Sequence, residues 1–207
     1  MAFAVHFRYI NSPLLMAIVA LSLILIILRD ATFYVFSAYS LLLSGLFIIG
    51  VRLKDVNLCG LTGLALFPII YENLLFSTGL ISLTSETQNR LFQNSLIFGL
   101  HFIKELILLV LLIYRMEITK RLFPNRSIYY TFADTLLPWL CLLTAIFSFL
   151  ALFENYLRNG RGYDITLFFY AFEVTGYLFY SSVCGILLVL TMITCQQQRL
   201  SPQGSAK

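Results

Sequence analysis

The strongest constraint on this chain is a series of apolar runs of bilayer length. From Ala31 to Val51 there is no charged residue, and comparable runs follow after short gaps. A hydrocarbon core about 30 Å thick takes about 20 residues of apolar helix to cross. Backbone groups in lipid find no water, so only helices and closed barrels can span it. Barrel strands alternate in polarity over about ten residues. These runs are instead continuous and rich in Leu and Ile. The sequence therefore predicts an all-α, polytopic integral membrane bundle. Charged residues are 12% of the 207-residue chain, about half the ~25% of soluble domains. That supply is too small to clothe a water-soluble globule.

Six transmembrane helices are predicted. They run from Pro13 to Leu28, Ala31 to Val51, Val56 to Leu80, Leu91 to Tyr114, Ile128 to Phe153 and Ile165 to Thr194. The first resembles a signal peptide, but no small-x-small cleavage site follows, so it reads as a retained span. It would form a tight hairpin with the second across Arg29 and Asp30. Pro68 and Pro138 fall inside the third and fifth spans, where a missing backbone donor kinks a helix. Residues 1–195 form the membrane domain. Residues 196–207, a Gln run followed by Pro202 and Gly204, read as a disordered tail.

Loop cations set orientation. Arg8, Arg52, Lys54, Arg115, Lys120, Arg121, Arg126, Arg199 and Lys207 fall on one side of the bundle. Arg29, Arg90, Arg158 and Arg161 fall on the other. The bias predicts cytoplasmic termini in a cell membrane. The stretch from Arg115 to Arg126 reads as a basic loop against anionic lipid. The loop from Asn159 to Asp164 reads as a solvated turn, with Gly supplying unusual backbone angles.

Six ionisable side chains interrupt the spans: Glu72, His101, Lys104, Glu105, Asp134 and Glu173. A charge in hydrocarbon costs several kcal/mol, so these residues must face one another or a wet interior. Helical spacing supports that. Asn94, His101 and Glu105 share a face, as do Asp134, Pro138, Cys141 and Ser148. Ala65, Pro68 and Glu72 form another face, and Thr166, Glu173, Tyr177, Tyr180 and Cys184 a fourth. The six are candidate substrate- or ion-binding residues. Lys104 is expected to neutralise Glu105 or a carboxylate on a neighbouring helix. Glu72 and Glu173 would line an outward-facing cavity. His101 would hydrogen-bond Glu105, four residues on. The plainer reading makes all six polar anchors that hold the helices in register. A local echo joins Tyr71-Glu72-Asn73 to Phe153-Glu154-Asn155, and coincidence is the simpler account of so short a match.

Other classes are excluded or unsupported. No basic stripe interleaved with aromatics suggests nucleic acid. The four cysteines form no CxxC pair, and no metal-ligand spacing is present. Two-histidine haem ligation fails because His6, the only other histidine, precedes the first span. No cofactor is expected. HExxH, GxSxG and Walker sequences are absent. Three functions stay open: transport or channel-like handling of protons or cations by embedded carboxylates, a non-catalytic membrane subunit or sensor, and an intramembrane lipid-modifying enzyme. The expected partners are the lipid bilayer and either another copy of the chain or a membrane complex. Ser37, Ser40 and Ser44 offer a small-residue contact face.

Overall fold

A computed structural model describes residues 32–77 and 90–200. The expected first span, the Arg29–Asp30 hairpin, the end of the third span and the last residues of the tail lie outside the described residues.

The described residues are all-helical, with no strand. The helices are α1 (Thr32–Leu53), α2 (Val56–Ser77), α3 (Arg90–Ile113), α4 (Arg115–Leu122), α5 (Ala133–Asn155) and α6 (Leu167–Leu200). A π-helical turn, Tyr156–Gly160, continues α5. The windows in α2, α3, α5 and α6 are long and apolar enough to cross a membrane. That marks the chain as a membrane protein. A shorter apolar stretch, Ser37–Leu53, lies within α1.

α1 packs on α2, α3 on α5, and α6 against α1, α2 and α5. Its position makes α6 the central helix. About half of its apolar window is buried (56%), against about a third or less in the others. The shared core includes Leu43, Leu58, Leu61, Leu112, Leu137 and Leu187. Large apolar side chains such as Leu41, Trp139 and Tyr170 cover the outside, as a bundle solvated by lipid requires. Pro68 and Pro138 lie within α2 and α5 as expected.

Three boundaries differ from expectation. The helix expected from Ile128 begins at Ala133. Asp134 instead reaches back to the Thr131 amide and hydroxyl, at 2.8 and 2.7 Å. That is the backward half of a capping box, and it fixes where the helix starts. At the far end α6 continues to Leu200, past the expected domain limit at 195. Gln198 donates to the Leu53 carbonyl (2.8 Å) and Thr194 to Asp55 (3.4 Å), which ties the last turns to the α1–α2 connection. Finally, Arg115 opens α4 and belongs to no loop.

The α1–α2 connection is itself specific. Asp55 N–H donates to the Gly50 carbonyl and Lys54 N–H to that of Val51, both at 3.1 Å. These two bonds make a Schellman motif whose left-handed position is usually Gly. Here it is Lys54, at φ 53°. Asp55 then caps α2, accepting from the Asn57 and Leu58 amides at 2.8 and 3.2 Å.

Candidate functional site

Four of the six predicted residues converge. α2 and α3 are neighbours in the bundle, and side chains lean toward the N-terminus of their own helix. Glu72 and Lys104 therefore approach each other along the axis as well as across it. Lys104 Nζ reaches Glu72 Oε1 at 2.7 Å and Glu105 Oε1 at 3.3 Å. His101 Nδ1 stands 3.2 Å from the Lys104 ammonium and 3.6 Å from Glu72. Lys104 and Glu105 are nearly sealed from the surface, with side chains 4% and 5% exposed.

The other Glu105 oxygen points to α5. Thr144 donates to Glu105 Oε2 at 3.1 Å, and the hydroxyl also lies within reach of the Leu140 and Cys141 carbonyls. Both expected partners of Lys104 are thus realised at once: its own helix neighbour and a carboxylate on another helix. His101 takes Lys104 and Glu72 as neighbours, while Glu105 turns to Lys104 and Thr144. The rings around the group are aromatic. Phe172 meets His101 edge-on at 5.2 Å between centroids, and Tyr180 lies against Tyr39 at 4.6 Å. An apolar cavity of only about 10 Å³ opens beside Tyr39, Ala65 and Pro68.

Two predicted residues stand apart from this group. Glu173 lies on α6, and its side chain falls outside the described part, so the expected Glu72–Glu173 cavity does too. Asp134 sits ten residues from Thr144 along α5, about 15 Å at 1.5 Å per residue. It belongs to a second centre.

That second centre is built on Arg115, which the charge pattern of the sequence assigns to a basic loop against lipid. The structure corrects this: Arg115 is 1% exposed, among the most deeply buried side chains described. Its Nε and Nη2 donate to the two Asp134 oxygens at 2.5 and 2.8 Å. Nη1 donates to Asn57 Oδ1 (3.4 Å), and Nη2 also reaches the Tyr129 carbonyl (3.4 Å). A buried carboxylate demands a cation or several donors, and Asp134 has both. That demand was the available signal: a carboxylate near a span's end needs a partner, and Arg115 follows the neighbouring span. Tyr129 completes the network. Its hydroxyl donates to Asp55 at 3.2 Å. Burial and the Asp55 carboxylate raise this phenol above its ordinary range, so it stays a donor.

At the opposite end, Glu154 accepts from the Phe168 and Phe169 amides at 2.6 and 3.0 Å, capping α6. Asn155 holds the start of α3 through the Leu91 carbonyl (3.0 Å) and Ser95 Oγ (2.9 Å). The echo with Tyr71-Glu72-Asn73 therefore carries no shared role for its glutamates: one caps a helix and the other pairs with a lysine. Arg158 stacks over Phe169 at 4.5 Å and Arg161 bonds the Tyr156 hydroxyl at 3.2 Å. Gly162 takes φ 80°, the left-handed turn position expected of that loop.

No family model, curated protein sequence or solved structure matches this chain.

Proposed function

We propose that this multi-pass membrane protein handles protons or small cations through the Glu72–Lys104–Glu105 group, with His101 as the adjacent relay. The observation that carries this reading is that one buried ammonium serves two carboxylates. With both acids ionised and the imidazole neutral, the group has one negative charge too many. A lone excess charge in a low-dielectric interior is costly, and a bound proton or monovalent cation removes it. Embedded acids beside His are the usual parts of proton relays in membranes. The loop-cation bias further supports placing the Arg115 end of the bundle in the cytoplasm.

The experiment is proton flux into liposomes carrying the purified protein and a pH-sensitive dye. Wild type should exceed protein-free vesicles, and Glu72→Gln should lower the flux at least tenfold. Background flux in wild type and variant alike would remove this reading.

One observation favours a second reading, a non-catalytic subunit of a membrane complex. The cavity beside the group is small and apolar, which suits a static polar anchor. In that case Glu72→Gln would lower the melting temperature in detergent and leave flux at background.

A further inference from the structure

A separate feature lies at the Arg115 end. A groove of about 570 Å³ opens between the α1–α2 pair and the α3–α4 corner. Its walls are mainly apolar: Phe47, Gly63, Leu64, Leu111, Ile118 and Leu122. That volume lies within the range of small-molecule pockets, ~300–1,000 Å³. Along α2 the groove follows the helix from Val56 to Leu64, about 12 Å at 1.5 Å per residue.

The charges at its rim are unequal in availability. Asp55 and Arg115 both line the groove but are spoken for, Asp55 by Asn57, Leu58 and Tyr129, and Arg115 by Asp134. Lys54 and Arg126 also line it. Both are exposed. Among the described residues neither makes a side-chain hydrogen bond or ion pair. The groove thus presents two cations without a side-chain partner against the one Asp55 carboxylate, a net positive rim above an apolar slot. Lys54 adds an independent sign. It holds a left-handed backbone position that strains a non-glycine residue, and Gly would remove that strain. A strained residue kept with its charge at the rim of a cavity points to a use for the charge.

The floor is shaped by glycine. A Cβ added at Gly63 would stand 3.6 Å from Phe47, an ordinary contact, and one at Gly60 would stand 3.7 Å from Thr119. Small additions therefore fit, and a larger side chain at position 63 would fill the slot. Beside the groove α4 carries Lys120 and Arg121 together with exposed Ile118 and Leu122. That pairing of basic and apolar side chains is the pattern of a helix lying in a membrane interface.

We infer that this groove is a binding site for one anionic phospholipid, with an acyl chain in the slot and the phosphate between Lys54 and Arg126. The occupant follows from charge complementarity: the net positive rim calls for an anion, and the slot calls for hydrocarbon attached to it. A zwitterionic lipid satisfies the slot but not the rim. The site is distinct from the Glu72–Lys104–Glu105 group and does not depend on the proposed flux.

The test is native mass spectrometry of the full chain in detergent, titrated with phosphatidylglycerol or phosphatidylcholine. Wild type should bind one phosphatidylglycerol at least tenfold more tightly than phosphatidylcholine. The double variant Lys54→Glu with Arg126→Glu should erase that preference and leave phosphatidylcholine binding unchanged. Gly63→Leu should weaken both lipids at an unchanged melting temperature. Equal binding of the two lipids by wild type would overturn the proposal, and so would an intact preference in the charge-reversed variant. A lipid-free dimer that Gly63→Leu dissociates would assign the groove to a second copy instead. The surface double variant keeps the test decisive if Gly63→Leu does not fold.

Discussion

Among the described residues two cations are buried, and they are answered differently. Arg115 meets one carboxylate, bidentately, and its remaining donors find an amide oxygen and a carbonyl. Charge is balanced and the geometry of the guanidinium is used up. Lys104 meets two carboxylates on two helices and a histidine besides. Its charge is oversubscribed. The planar fork of Arg suits a fixed clamp, whereas the compact ammonium of Lys can be shared and redistributed. The first centre is built to stay as it is. The second, on the proposed reading, would have two states that differ by one small cation.

This contrast can be broken most severely at Arg115. Arg115→Ala strands Asp134 in the interior, and breaking such a pair costs about 3–5 kcal/mol. Thermal unfolding in detergent should show the loss. A loss below about 1 kcal/mol would mean that the centre is no clamp. Next in size is Asn57→Ala, which removes the acceptor shared by Arg115 Nη1 and the Tyr129 amide. Leaving buried donors unmet costs about 1–3 kcal/mol, and the same melting assay reads it.

Glu105→Gln should do much less. It leaves Lys104 paired one to one with Glu72, which gives the second centre the charge balance of the first. Stability should change by less than about 1 kcal/mol, within the usual net worth of one hydrogen bond, while flux falls. A large loss of stability with flux untouched would place Lys104 in the same class as Arg115. Thr144→Val is the mildest. It deletes one donor to Glu105, and a loss of about 0.5 kcal/mol, the low end for one hydrogen bond, is expected. The same substitution should leave the Arg115 end unaltered, as judged by hydrogen exchange at α4.

The sequence made some of this arrangement readable and hid the rest. The fourth span was expected from Leu91 to Tyr114, and α3 runs Arg90–Ile113. A long apolar run with few alternatives leaves little freedom in its limits. Helical spacing placed His101 and Glu105 on one face, and the expectation that Lys104 serves an acid agrees with the geometry. What spacing could not supply was depth across helices. Glu72 was expected nearer the outer surface than Lys104. The lean of side chains toward their own helix N-termini brings the two together in an antiparallel pair.

Arg115 was misread for a different reason. An apolar-run reading ends a span at its first charge, so everything beyond becomes loop. The chain instead turns at Tyr114 and continues as α4, carrying Arg115 inward. Residues 128–132 misled in the opposite sense: they are apolar enough to read as helix, but Asp134 bonds the Thr131 amide and the helix starts after it. The Thr-x-x-Asp pattern was present in the sequence as a start signal. The groove beneath Lys54 was out of reach of any one-dimensional reading, since its walls come from four separate helices.

Lys104 stands partway along α3. It lies about 21 Å from Arg90 and about 14 Å from Ile113, at 1.5 Å per residue. In a bilayer under an electrical potential, an elementary charge crossing the whole field gains about 2.3 kcal/mol per 100 mV. A proton that reaches this group from either face crosses only part of it, on the order of 1 kcal/mol per 100 mV. On the proposed reading, occupancy of the group would be coupled to voltage, and a resting potential would set which face fills it more readily. The Arg115–Asp134 pair, at the end of the span, has no such lever.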